Sequence, residues 1–312
     1  MTAIWRLYIR LILTFFHLPS PILIRSLLST FLFLPPLTYS AEVFRQTFTS
    51  LRSIDLEVLY PVSNAANLHL PAAVFDSKDQ ESPSANRQLC RKVLSKIDLP
   101  SSAKFVFVSI NRYERKKNLQ LILFAISYLT QHWNEYFTGE SKVPVQPQDV
   151  HAVIAGGYDT RVVENVEYYN ELVELSQKLQ LEKQITFVRS CPSEVKNLLI
   201  ASSDAVLYTP EREHFGIVPI EAMFLSRPVI ALDSGGPKET VIHGTTGFLC
   251  PPEPKALLPT RLAEQMARFI EDPKLTERLG RAGYRRASEK FTFNTFQTHI
   301  CDILRCMSDA SS

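Results

Sequence analysis

Two pairs of charged residues stand at spacings that suit a phosphorylated, polyhydroxylated ligand. Arg112 and Lys117 have four residues between them, in Arg112-Tyr-Glu-Arg-Lys-Lys117-Asn118. Glu213 and Glu221 have seven, in Glu213-His-Phe-Gly-Ile-Val-Pro-Ile-Glu221. Guanidinium and ammonium groups hold phosphate oxygens, whereas carboxylates accept paired hydroxyls such as those of a sugar or ribose. The intervening Arg115 and Lys116 read as a solvated basic loop. Gly156-Gly157 is a place where a ligand could approach the backbone closely, although it is not a GxGxxG fingerprint. The loop Glu213–Val218, which contains Gly216, leads into the helix that carries Glu221, and backbone N–H groups at that helix start are suited to a phosphate. Gly235-Gly236-Pro237 followed by Glu239 makes a second glycine turn opening a helix at the same edge, read either as a simple turn and cap or as part of the ligand pocket. His214 and His243 are acid/base candidates by residue type alone, and His243 reads as a surface residue in the turn before Gly244.

These residues can cooperate only if the elements around them bring them together. Apolar runs predict buried strands over 104–110, 150–155, 184–188, 204–208, 228–232 and 247–250. Helical spacing predicts helices over 119–128, 163–179 and 192–201, the last capped by Ser193, and over 258–270, 274–290 and 293–306. Residues 131–149 read as a polar, proline-containing surface loop. Strands and helices alternate, the pattern of a Rossmann-like, doubly wound parallel α/β sheet. Right-handed crossovers place the loops after the strands at the carboxyl edge of that sheet. Arg112, Lys117, Gly156, Gly157, Glu213 and Glu221 are all expected there.

A chain of 312 residues with 45% hydrophobic content can bury a sizeable core. Its formal net charge of +2 gives no electrostatic basis for binding nucleic acid. The five cysteines are scattered with no CxxC pair, which argues against a disulfide framework or a zinc site, and they are expected to be structural. The first 40 residues are apolar, and Arg25 is the one charge between positions 11 and 41. Pro19, Pro21, Pro35 and Pro36 break this leader into pieces shorter than the roughly 20 residues that span a bilayer. It is read as a membrane-associating segment, either a signal anchor or a re-entrant or interfacial stretch; the alternative is a start created by a truncated or mis-spliced reading frame. Helical spacing over 41–51, a short strand over 58–62, a Ser/Asn/Pro-rich loop over 63–85 and a polar helix over 86–97 follow. The expected divisions are a leader 1–40, a remnant of an N-terminal domain with its linker 41–90, a nucleotide-sugar domain 91–290 and a terminal helix 291–312.

The Arg-x4-Lys-Asn element after a strand, and the Glu-x7-Glu element followed by Pro-Val-Ile-Ala and a Gly-Gly turn, resemble the retaining GT-B glycosyltransferases of the group 1, family 4 type. Ser109–Asn118, Ala155–Asp159, Tyr208–Met223 and the stretch 44–61 are similar to the alpha-1,3/1,6-mannosyltransferases of asparagine-linked glycosylation. The resemblance implies transfer of mannose from GDP-mannose to dolichol-diphosphate-linked Man(1)GlcNAc(2), first alpha-1,3 and then alpha-1,6. It implies retention of anomeric configuration, no cofactor and no metal, and action at the cytosolic face of the endoplasmic reticulum membrane beside other mannosyltransferases of the pathway. Carried onto this chain, Arg112 and Lys117 neutralise the leaving diphosphate and Glu213 holds the mannosyl hydroxyls. Phe215, Gly216 and Ile217 supply amides, Gly156 and Gly157 border the donor, and Glu221 holds the ribose. The same resemblance implies that the donor half is complete and that most of the N-terminal acceptor half is missing. Two alternatives therefore accompany it: a membrane-tethered donor-binding module without catalysis, and a related transferase using a UDP-sugar.

Overall fold

The computed structural model describes residues 38–47, 58–60, 103–137 and 145–309. The chain forms two compact units, Met1–Leu59 and Tyr60–Ser312. In the first, the described element is helix α1 (Thr38–Thr47), whose last turn is closed by the Thr47 hydroxyl donating to the Val43 carbonyl at 2.8 Å. It begins three residues before the expected start at Ala41. The expected strand over 58–62 is not formed at 58–60, which have no regular structure. The proline-broken apolar leader as far as 37, the loop 63–85 and the polar helix 86–97 lie outside the described residues. Among the described residues no helix is long and apolar enough to cross a membrane.

The second unit is built on a six-stranded sheet in the order β3-β2-β1-β4-β5-β6, with every pairing parallel. The strands are β1 (Phe105–Ile110), β2 (Val150–Gly156), β3 (Ile185–Arg189), β4 (Ala205–Tyr208), β5 (Val229–Leu232) and β6 (Gly247–Cys250). β1, β2, β4 and β5 are buried at every position, as expected for parallel strands covered by helices on both faces. Side chains alternate between the faces. Phe105 and Phe107 join the core beneath α2 (Gln120–Gln131), α4 (Val163–Lys178) and α8 (Leu258–Glu271). Val106 and Val108 join the core beneath α5 (Ser193–Ser202) and α6 (Ile217–Phe224). Beyond β5 come the short α7 (Pro237–Thr240), then α9 (Leu275–Lys290), which packs Ala287 against Ile220 and Met223 of α6, and α10 (Phe293–Asp309).

This strand order has one functional consequence. From β1 the chain winds outward through β2 and β3, then returns to the middle at β4 and winds the other way. The neighbours β1 and β4 therefore form a topological switch point, and their following loops diverge to leave a crevice outside the carboxyl ends.

Two local expectations are corrected. The stretch 131–149 is not simply a loop: it contains helix α3 (Trp133–Tyr136) and a 3-10 turn, Pro147–Asp149, on either side of undescribed residues 138–144. Trp133, Tyr136 and Phe137 pack against the main core, with the Trp133 and Phe137 rings 4.4 Å apart, and this tertiary contact orders a segment whose polarity suggests none. Ser193 does not cap α5. Pro192 occupies the cap position with extended backbone, and its carbonyl accepts the Lys196 N–H at 2.8 Å, the first bond of the helix, so Ser193 is already helical.

Candidate functional site

The loop after β1 carries its two cations on a rigid footing. Tyr113, between them, is fully buried, and its hydroxyl donates to the Ile154 carbonyl of β2 at 2.8 Å. The Tyr113 carbonyl accepts the Asn165 side-chain amide at 3.0 Å. Its ring lies edge-on to Tyr158 and Tyr169, and the Arg189 guanidinium covers both of those rings at 5.2 and 5.0 Å. Lys117 closes a 3-10 turn, Arg115–Lys117, that ends in left-handed Asn118. The Thr209 hydroxyl donates to the Lys117 carbonyl at 2.7 Å, tying this loop to the end of β4. Arg112 is mostly exposed and is held by Glu114 at 2.7 Å.

The loop after β4 presents Glu213. Its carbonyl accepts the Gly236 N–H at 2.7 Å, so the Gly235-Gly236 turn supports it from the β5 side. The Glu213 carboxylate is in direct contact with the Lys117 ammonium. Gly216, at φ 73°, is the cap of α6, and Ile217 and Val218 begin the helix. Helix N–H groups in the first turn have no intrahelical acceptor, and the dipole there favours an anion.

These parts enclose a cleft of about 310 Å³ at the switch point, lined by Arg112, Lys117, Gly156, Gly157, Glu213, Gly216 and Ile217 together with Ile110, Asn111, Tyr208 and Val218. Seven of the nine expected site residues thus meet in one place. Glu221 and Phe215 stand beside it. Glu221 is buried deeper on α6, where its carboxylate receives Lys196 of α5 at 2.6 Å. The Phe215 ring packs edge-on to Phe291, 6.2 Å away, so at this residue only the backbone is available to a ligand in the cleft. Gly156 lines the cleft and has a further reason to be glycine: a Cβ there would stand 1.9 Å from the Asn111 carbonyl at the end of the neighbouring strand.

The solvated reading of Arg115 and Lys116 agrees with the geometry. Arg115 pairs with Glu167 and Glu171, and Lys116 with Glu114. Both border a second hollow of about 580 Å³ on the far side of the loop, where Lys255 faces Glu211 at 3.5 Å. His214 is exposed outside the cleft, and His243 is an exposed turn residue whose Nδ1 accepts the Leu249 N–H at 3.1 Å. Burial pushes the thiol of Cys191 up to about 11 and that of Cys250 up to about 12, which leaves both neutral and unreactive. Among the described residues no group of three or more His, Cys, Asp and Glu side chains could hold a metal ion.

Four residues with consequences for the site escaped the sequence reading. Tyr113 is surrounded in sequence by charges, so nothing local marks it as the anchor of the loop. Glu114 and Lys196 act on Arg112 and Glu221, and the latter contact joins two helices. Tyr208 could have been found, because it is the last residue of a buried strand and its side chain must emerge near the carboxyl edge.

Residues 92–286 match the family model of the glycosyl transferases group 1. The chain is 42% identical over 269 residues to alpha-1,3/1,6-mannosyltransferase ALG2 of Homo sapiens, and 40% identical over 265 residues to that of Mus musculus. Each alignment covers 84% of this chain and 55% of the relative, so the chain spans about half the length of the curated relatives it matches. Among solved structures, the sucrose-phosphate synthase of Thermosynechococcus elongatus superposes with a TM-score of 0.65 at 21% identity, over 89% of this chain and 58% of that one. That likeness shows the GT-B fold expected from the motifs. The family match over most of the chain and the 42% identity to a relative over 84% of it establish that the protein belongs to the group 1 glycosyl transferases.

Proposed function

We propose that the protein transfers mannose from GDP-mannose to a dolichol-diphosphate-linked acceptor, Man(1)GlcNAc(2), with retention, at the cytosolic face of the endoplasmic reticulum. The observation that carries this reading is the meeting of Arg112, Lys117, Glu213 and the start of α6 in one cleft at the switch point, in a chain similar to named alpha-1,3/1,6-mannosyltransferases. In the reaction the bond from the mannosyl anomeric carbon to the β-phosphate oxygen breaks, and a bond from that carbon to an acceptor hydroxyl oxygen forms on the same face. The hydroxyl proton passes to the departing diphosphate, and negative charge grows on that diphosphate as it leaves. Lys117, Arg112 and the first-turn amides of α6 stabilise that charge as fixed cations and dipoles, usually the largest catalytic effect. They do so without a metal or other cofactor. Glu213 accepts mannosyl hydroxyls, and Glu221, beside the cleft, accepts the ribose hydroxyls.

Before donor binds, Lys117 and Glu213 satisfy each other, so the cleft holds no isolated buried charge. The donor separates them: its phosphate replaces the carboxylate at Lys117 and its hydroxyls replace the ammonium at Glu213. The test is mannose transfer by the purified chain to a phytanyl- or dolichol-linked acceptor, with GDP and UDP competing for the donor site. Retained product with GDP-mannose supports the reading. A folded sample that binds donor but yields no product limits this chain to donor binding, and preference for UDP reassigns the donor.

A further inference from the structure

Tyr208 is a cleft residue with a polar end and no role assigned so far. It ends β4, one of the two strands that flank the crevice, and is 3% exposed, yet it lines the cleft. Its ring is therefore enclosed, and only its polar end is left to reach the ligand space. Gly216 locates that end. A Cβ on Gly216 would stand 3.2 Å from both Cε1 and the hydroxyl oxygen of Tyr208. The phenol thus lies directly against the cap of α6, next to Ile217 and Val218, whose first-turn positions line the same cleft.

Among the described residues the Tyr208 hydroxyl has no hydrogen-bond partner. Its oxygen is not one of the fully buried polar atoms, so it opens on the cleft, where it can donate to a ligand. Burial, and secondarily the Glu213 carboxylate, push its ionisation well above the usual tyrosine range, so it stays an O–H donor and does not serve as a base. The groups around it sort the ligand's atoms. Glu213 accepts, which suits sugar hydroxyls, whereas the phenol, the Lys117 ammonium and the α6 amides all donate, which suits an oxyanion.

We propose that the Tyr208 hydroxyl donates a hydrogen bond to a non-bridging oxygen of the sugar-bearing phosphate, completing the diphosphate site with Lys117 and the start of α6. This rests on the donor-site reading above. The same geometry gives Gly216 a second reason to be glycine. At φ 73° it starts the helix in the left-handed region that favours glycine, and any side chain would also press on the phenol that must reach the phosphate.

The experiment is calorimetric titration of the full 312-residue chain with GDP and with GMP, comparing wild type with Tyr208→Phe. Tyr208→Phe removes one oxygen and keeps the ring. The expected result is about a tenfold loss of GDP affinity, with GMP affinity within about twofold of wild type. Equal losses for both nucleotides, or none, overturn the proposal, since a general disturbance of the pocket would not separate one phosphate from two. A second measurement needs no variant. The ring-carbon NMR signal of labelled Tyr208 is expected to shift with GDP and not with GMP, and an unchanged signal on GDP saturation overturns the proposal. Lys117→Ala separates the two levels of inference. If wild type binds neither GDP nor UDP, the donor-site reading fails and takes the tyrosine with it. If wild type binds GDP, Lys117→Ala does not, and Tyr208→Phe matches wild type, the tyrosine proposal alone is overturned.

Discussion

Two lysine–glutamate pairs flank α6, and they are built in opposite senses. Lys117–Glu213 joins the loop after β1 to the loop after β4; Lys196–Glu221 joins α5 to α6. In the first pair the lysine side chain is 11% exposed and the glutamate 30%, whereas in the second the lysine is 21% exposed and the glutamate 11%. At the strand ends the cation is sunk and the carboxylate is open. Between the helices the carboxylate is sunk and the cation is open. A pair of loop residues at a switch point has room to part, because each partner can be taken over by a ligand atom of the right charge. A pair fixed by two packed helices has no such freedom, and its lysine holds the carboxylate in one orientation. The first pair is suited to exchange with a ligand and the second to positioning.

The largest effect should come from breaking the exchangeable pair. Lys117→Ala removes the sunken cation and is expected to lower kcat by about 10²–10³-fold, the usual cost of removing a preorganised charge from a transition-state site. Lys117→Arg should recover only part of the loss, because a planar fork does not place its charge where a compact ammonium does. Steady-state mannose transfer measures both. If Lys196→Ala lowered kcat as far as Lys117→Ala, the division between exchange and positioning would collapse.

Much of this arrangement could be read from residue order. Runs such as Phe105–Ile110 and Gly247–Cys250 are apolar, short and bounded by polar or proline-containing segments, so the strands form within a residue or two of their expected ends. Arg112, Lys117 and Glu213 are legible because each lies in the loop that follows a strand, and parallel topology fixes where such loops go. What could not be read depends on contacts distant in sequence. The burial of Tyr113 is decided by Ile154 of β2 and Asn165 of α4. The partner of Glu221 is decided by the register of two helices. The ordering of Trp133–Tyr136 is decided by the core it meets. In each case the local composition suggests a loop or a free charge, and tertiary packing overrides it.

A buried histidine tests whether acid sensitivity belongs to the charge pairs at all. His151 lies in β2, away from both pairs, with Nε2 2.9 Å from the Thr186 hydroxyl. Burial lowers its pKa from 6.5 to about 4, against the weaker opposing effect of the Lys183 backbone carbonyl, which accepts a hydrogen bond from the ring. The folded protein therefore binds this proton less readily than the unfolded chain does. Its neutral form contributes fully above pH 6.5, and that stability is lost as pH falls from 6.5 toward 4, by on the order of 3 kcal/mol at the limit. Denaturant melts across that interval should show the decline, and His151→Gln should flatten it. An undiminished decline in the variant would move the acid sensitivity to the ion pairs.

The positioning pair should yield a smaller and differently divided effect. Lys196→Ala frees the Glu221 carboxylate from the Lys196 ammonium, 2.6 Å away, without touching the cleft. The expected result is about a tenfold rise in donor KM with kcat within about threefold, the loss of roughly one charge-assisted hydrogen bond's worth of alignment. Lys196→Arg should restore most of it. A fall in kcat with unchanged KM would mean that Glu221 acts on the reacting atoms and that the two pairs are more alike than their burial suggests.

The smallest effect is expected at Arg115, and it bounds the comparison from outside. Arg115 is two residues from Lys117 in the same basic run, so residue type alone would assign it to the ligand. Its guanidinium instead faces α4, paired with Glu167 and Glu171 and 6.0 Å from the Tyr168 ring, with all three charged side chains about half exposed. Exposed pairs of this kind contribute little. Arg115→Ala should leave donor KM and kcat within about twofold and the melting temperature within about 1 °C. A tenfold loss of transfer would instead bring the 580 Å³ hollow into the donor site, because Arg115 borders that space rather than the cleft. The cations of the loop would then divide by reach into two ligand-binding spaces, and the contrast between an exchangeable pair and a fixed one would no longer describe how this edge of the sheet holds charge.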